Sequence, residues 1–109
     1  TSHARFEIWY HMVWVTKYRK KIWNEYSRTR VSAILKATAG QYDMRIDEIT
    51  CLSDHVHMTV SAPPRIAPSR IAQILKSVST QLLLQEFPKL RNHYWGGEIW
   101  AAGSDKGQR

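Results

Sequence analysis

Residues 44–64 read MRIDEITCLSDHVHMTVSAPP, apolar and polar residues in alternation, ended by two consecutive prolines. A period of two belongs to the β-strand, whose side chains point to opposite faces in turn. Proline carries no amide donor for a ladder, so Pro63 and Pro64 close the run. The stretch is longer than an ordinary strand. It is expected to turn near residues 52–54 or to form a pair of short strands.

Strands need neighbours, and the rest of the chain supplies them. Residues 5–20, RFEIWYHMVWVTKYRK, are rich in the aromatic and β-branched residues that suit a pleated surface. Phe6, Ile8, Tyr10, Met12 and Trp14 would share one face; Glu7, Trp9, His11, Val13 and Val15 the other. Bulk on both faces predicts a central strand covered on both sides. Val31, Ile34, Leu35, Thr38, Ala39 and Tyr42 recur at helical spacing, with Ser27 as a cap and Gly40 near the end. Pro68 opens a second helix with the stripe Ile71, Ile74, Leu75, Val78 and Leu82, and Pro88 closes it. Residues 94–100, YWGGEIW, read as a further strand or hairpin arm. The expected class is α+β: a ferredoxin-like antiparallel sheet, with a mixed sheet as the variant, and two helices packed on one face. Such a fold by itself names no chemistry.

Composition narrows the partners. The 109 residues make one domain with one modest core. The single Cys51 cannot form an internal disulfide and is expected as a small buried hydrophobe in a reducing compartment. No apolar run approaches the ~20 residues of a membrane span, and the first residues, TSHARFEIW, carry no secretory pattern. The expectation is a soluble cytoplasmic protein with no membrane partner. Sixteen Lys and Arg against nine acids give a net charge of +7, which points to a polyanion, and nucleic acid is the usual one.

Within residues 52–60, LSDHVHMTV, parity puts Ser53, His55, His57 and Thr59 on one face. Leu52, Val56, Met58 and Val60 take the other, with Asp54 its one polar member. The imidazoles of His55 and His57 are then about 6.6 Å apart along the strand, a spacing at which both rings can lean onto one metal ion. They could equally be polar residues on a wet face. A histidine-triad hydrolase would need a third alternating histidine, where Thr59 stands. A phosphoesterase with two H-x-T/S motifs would need a second copy, and there is none. A metal-assisted cut of a nucleic acid phosphodiester remains. Hard phosphate oxygens favour Mg²⁺ or Mn²⁺ there, and imidazole ligands favour Mn²⁺ of the two.

Four stretches in order carry a resemblance: YHMVWVTKYRKKIW (residues 10–23), DHVHMTVSAPP (54–64), ILKSVSTQLL (74–83) and YWGGEIWAAG (94–103). Together they resemble the HUH single-tyrosine transposases of the smallest insertion sequences, a group that includes the REP-associated tyrosine transposases. The resemblance implies a homodimeric enzyme acting on single-stranded DNA with hairpin structure. It gives His55 and His57 as catalytic metal ligands, with Asp54 in a supporting role. It also implies a tyrosine on a C-terminal helix that forms a 5′-phosphotyrosine link and frees a 3′-OH. None of Tyr10, Tyr18, Tyr26, Tyr42 and Tyr94 matches that tyrosine, which in the family lies beyond the GGEIW position. The expectation is therefore a single domain over residues 1–109 without the catalytic helix, its nucleophile unassigned. Either the chain is cut short, or it is a catalytically inactive single-stranded DNA-binding protein on the same fold. A dimeric RNA-binding protein is a third reading.

For the DNA surface, the densest basic run is TKYRKK: Lys17, Arg19, Lys20 and Lys21, with Tyr18 and Trp23 interleaved. Such cations neutralise phosphates, and an aromatic face stacks on an unpaired base. Arg70, Gln73 and Lys76 lie off the apolar stripe of the second helix, where they would meet a hairpin stem or water. Trp9, Trp14, Trp95 and Trp100 are expected in the core or at a dimer interface.

Overall fold

The hairpin demanded by residues 44–64 is the centre of the molecule. In the computed structural model, which describes residues 8–103, β1 (Trp9–Val15) and a 3-10 turn (Lys17–Arg19) are followed by α1 (Glu25–Gln41). Then come β2 (Arg45–Cys51), β3 (His55–Ser61), α2 (Pro68–Glu86) and a second 3-10 turn (Pro88–Asn92). Arg5, Phe6 and Glu7, which the sequence pattern assigns to the first strand, lie outside the described residues. The sheet is antiparallel with order β1-β3-β2. The central strand is therefore β3, not β1. Residues 52–54 fold β3 back on β2, and β1 takes β3's other side, so β1 ends at the edge of the described sheet.

Parity on β1 and β3 is as the sequence predicts. Tyr10, Met12 and Trp14 pair with Val60, Met58 and Val56 on the inner face. Across β3, Ile46, Ile49 and Cys51 pair with the same three residues. A bulge between Ile46 and Glu48 explains how two inward isoleucines can stand three apart. The bulge is tied down by the Glu48 amide, which donates to Thr59 Oγ1 at 3.1 Å. Val31 and Leu35 of α1 and Ile71, Leu75 and Leu83 of α2 are fully buried in the same cluster as Met12, Trp14 and Met58. Both helices thus cover the inner face, and each such side chain removed from water contributes about 1.5–3 kcal/mol.

The helix boundaries refine the sequence reading. Asn24, not Ser27, caps α1; Ser27 is the reciprocal partner, and each side chain bonds the other's amide at 2.8 Å. On α2 the buried stripe runs Ile71, Leu75, Ser79 and Leu83, leaving Leu82 40% exposed. Residues 94–100 make no strand. They turn at Gly97 (φ 83°), a backbone position that glycine adopts without strain, and touch the sheet by one bridge, Thr16 to Trp100. Their apolar side chains Tyr94, Ile99 and Trp100 plug the core instead of forming a pleated arm. Among the described residues no helix is long and apolar enough to cross a membrane.

Candidate metal and nucleic-acid site

The C-terminal end of β1 and the N-terminal end of β3 lie side by side, since Val15 pairs with His55. Just beyond that pair the basic turn is stitched to the β2–β3 turn. The Thr16 amide donates to the Asp54 carbonyl at 2.8 Å and the Trp23 amide to the Ser53 carbonyl at 3.1 Å. Thr16 is fully buried, and its hydroxyl lies 2.6 Å from the Lys20 carbonyl and 3.2 Å from that of Asp54. From the other side, Lys17 N bonds Ile99 O at 2.7 Å and Ala101 N bonds Val15 O at 2.9 Å. Three segments remote in sequence converge on one end of the sheet.

His55 and His57 both stand on the outer face, half-buried, with ring centroids 6.2 Å apart and planes 20° from parallel. Asp54 does not sit opposite them. The strand begins at His55, so strand parity does not extend back to Asp54. Its carboxylate instead reaches His55 Nδ1 at 2.9 Å. That hydrogen bond, assisted by Arg19, holds the Asp54 carboxyl below the usual carboxylate range. An ionised carboxylate there accepts a hydrogen bond from Nδ1–H, keeps that proton on the ring and leaves the Nε2 lone pair of His55 free to bind a metal, the arrangement metal-binding imidazoles use. The second Asp54 oxygen accepts from Arg19 Nε and Nη2 at 3.4 and 3.3 Å. Asp54 is thus the link between the histidines and the basic turn.

One residue of the site escaped the sequence. His11 pairs with Thr59 on the outer face, and its ring lies 6.0 Å from that of His57, making a row of three imidazoles. Parity places His11 on the right face of β1, but only the β1–β3 register sets it beside His57. A depression of about 500 Å³ opens there, lined among others by His11, His57, Asp47, Glu48, Thr50 and Thr59. Among the described residues no group of three or more His, Cys, Asp or Glu side chains is placed to hold a metal ion. Among the described residues His55 and His57 stand as two neighbouring imidazoles with a carboxylate behind His55.

The basic candidates divide. Lys17, Tyr18, Arg19, Lys20 and Lys21 form the turn against Asp54. Lys17 Nζ lies 3.4 Å from Glu98 and 5.7 Å from the Tyr18 ring centre, and Lys20 Nζ is 5.8 Å from that of Tyr94. Tyr18 (φ 63°) and Arg19 (φ 52°) are non-glycine residues in the left-handed region, a conformation that costs on the order of 1–3 kcal/mol each and gathers at functional sites. Lys76 reaches the same end from the helix side, donating to the Ala101 carbonyl at 3.1 Å and covering the Trp14 ring at 5.6 Å. Arg70 is elsewhere: it bonds Gln73 and lines a cleft with Asp43 and Arg65, next to the start of β2 and away from His55.

The aromatics also sort differently from expectation. Trp23 is 3% exposed and packs on Trp100, so it offers no face to a base. Of the tryptophans expected in the core or at a dimer interface, Trp14 and Trp100 are in the core, and Trp95 is outside it, 93% exposed on the single chain. Tyr94 is buried, donates its hydroxyl to the Lys17 carbonyl at 2.9 Å, and has its phenol pushed up by burial.

Residues 4–104 match the family model described as "Transposase IS200 like". The chain is 32% identical over 102 residues to the transposase for insertion sequence element IS200 of Salmonella typhimurium, covering 94% of this chain and 67% of that protein. It is 28% identical over 95 residues to the ISDra2 transposase TnpA of Deinococcus radiodurans, covering 87% of this chain and 68% of that one. A crystal structure of a Deinococcus radiodurans protein assigned as a transposase superposes with a TM-score of 0.83 at 26% identity, over 93% of this chain and 78% of that chain. The chain belongs to the IS200-like transposase family.

Proposed function

We propose that this transposase acts as a homodimer on single-stranded DNA with hairpin structure, cleaving and transferring a strand through a 5′-phosphotyrosine intermediate. The observation that supports this most is the Asp54 carboxylate, which joins His55 to the arginine of a basic turn at one end of the sheet. His55 and His57 would hold Mg²⁺ or Mn²⁺, with the remaining ligands drawn from water, from phosphate oxygens or from residues outside those described. Bound there, such an ion polarises a phosphate oxygen. The chain's own residues do the rest. Asp54 keeps the Nδ1 proton on His55, and Lys17, Arg19, Lys20 and Lys21 neutralise the backbone on either side of the reacting phosphate. Lys76 and Arg70 are secondary contacts, and Arg70 could serve only a distant part of the strand.

The attacking hydroxyl is that of a tyrosine, a role to which none of Tyr10, Tyr18, Tyr26, Tyr42 and Tyr94 is assigned. The hydroxyl oxygen gives up its proton and bonds to phosphorus while the bond from phosphorus to the 3′ oxygen breaks, and that 3′ oxygen takes up a proton and leaves as a 3′-OH. Tyr94 does not fill this role, because its hydroxyl is buried and bonded to Lys17. The test is incubation of the full-length protein with Mn²⁺ and a hairpin-tipped strand, followed by denaturing electrophoresis. A covalent protein–DNA adduct is expected, lost in His55→Ala without a change in the unfolding midpoint. An adduct that persists in His55→Ala would remove His55 from the chemistry. Binding with no adduct from the wild type would leave a single-stranded DNA-binding protein on the same fold. Tighter binding to a strand carrying 2′-OH groups would shift the substrate to RNA.

A further inference from the structure

We propose that Tyr18 and Trp95 form a stacking platform for an unpaired nucleobase beside the phosphate held at the histidines. The inference rests on the single-stranded DNA reading above and adds a ligand class and two residues to it. Three of the described tryptophans, Trp14, Trp23 and Trp100, are at most 5% exposed, whereas Trp95 is 93% exposed and Tyr18 is 72% exposed. Neither is left out by slack in the chain. Trp95 follows the buried anchor Tyr94 and lies within a closed turn in which Gly97 N bonds Tyr94 O at 2.8 Å. Tyr18 is held in a left-handed backbone (φ 63°, ψ 16°) that a tyrosine adopts only at a cost. Its ring lies on that of Tyr94 with centroids 6.4 Å apart and planes 19° from parallel. Tyr94 is in turn fixed by its hydroxyl on Lys17 O. The Tyr18 ring is therefore backed by a rigid support on its Tyr94 side, with Lys17 Nζ 5.7 Å from its centre.

The charges around it select the occupant. Lys17 and Lys20 flank the two tyrosine rings, Lys21 is exposed, and Arg19 faces Asp54. A flat ring carrying an anionic phosphate meets such a surface on both counts. An apolar peptide would bury these lysines without compensation, and a second copy presenting the same basic turn at this face would be repelled, whichever face the homodimer uses. The platform connects to the histidines through short steps: Tyr18 neighbours Arg19, Arg19 contacts Asp54, and Asp54 contacts His55. A base stacked there belongs to a nucleotide close to the reacting phosphate.

An abasic-site scan tests this. The full-length protein is titrated with single strands in which one base at a time is deleted around the cleavage point. Wild type should lose about 5- to 150-fold in affinity at one or two neighbouring positions, the range of base–aromatic stacking. Tyr18→Gly, which relieves the left-handed strain and so keeps the turn, and Trp95→Ala should each lose affinity for the intact strand within that range. Each should also become insensitive to the abasic site at those positions; Tyr18→Phe should behave as wild type. Unchanged affinity in both variants, or abasic sensitivity retained in both, overturns the platform. The double variant Lys20→Ala/Lys21→Ala separates this from the wider reading. Weaker binding to every strand with a shallower salt dependence, alongside silent aromatic variants, removes the platform alone. No salt-dependent DNA binding by the wild type removes both.

Discussion

Asp54 does more than its neighbours because its two carboxylate oxygens serve different partners, the His55 imidazole and the Arg19 guanidinium. An asparagine has one acceptor oxygen and cannot serve both. Asp54→Asn is expected to weaken Mn²⁺ binding by about 10- to 100-fold, the usual effect of removing the partner behind a ligating histidine, with little change in fold. Calorimetric titration of the full-length protein with Mn²⁺ measures it; unchanged affinity would leave Asp54 with no part in holding the imidazole. That His55 and His57 share a face was legible from alternation, but the place of Asp54 was not. Parity counts along a strand, and the turn at residues 52–54 resets the count one residue before His55. Cys51 was legible as a buried hydrophobe: burial pushes its thiol up to about 12, which removes it as a nucleophile at neutral pH.

Among the elements, α2 shows where helical periodicity misleads. The sequence favours Val78 and Leu82 as the continuation of Ile71, Ile74 and Leu75, because leucine is apolar and Ser79 is not. In the fold Ser79 is fully buried, and its hydroxyl accepts the Trp100 indole N–H at 3.1 Å. A polar residue is tolerated in the stripe because a tryptophan far along the chain brings it a partner, which no local pattern reveals. Ser79→Ala should therefore cost about 1–3 kcal/mol by orphaning a buried indole donor, although alanine is the better helix former. The urea midpoint reads this, and a stabilised variant would refute it. The same partnership bears on residues 94–100: aromatic density suggested a strand, yet Tyr94 and Trp100 are spent inside the core, Trp95 faces out, and the backbone makes one bridge.

For the molecule as a whole, the α+β class and helices on one face followed from the alternation of periods two and 3.6. Strand order did not, because both faces of β1 carry bulk and only pairing decides which strand is central. The helices are clasped by Arg30 of α1 and Glu86 of α2, a two-pronged ion pair at 2.6 and 3.0 Å. The hydrogen bond from Arg30 is the main reason the Glu86 carboxyl lies below its usual range. A group whose folded value is depressed stabilises the fold above its unfolded value and loses that contribution as pH falls through the folded one. Wild type should therefore lose urea resistance relative to Glu86→Gln as pH drops through the carboxylate range, and converge with it at the acid end. Both side chains are about one-third exposed (36% and 31%), so the difference should be small and should shrink in high salt. The Asp54 bridge has a consequence on this largest scale as well. On the proposed reading, a cation drawing on His55 and a polyanion drawing on Arg19 would compete for, or co-operate through, one carboxylate, so neither equilibrium would be independent of the other. By reciprocity, whatever factor a bound strand lent to ion affinity, the ion would return to strand affinity.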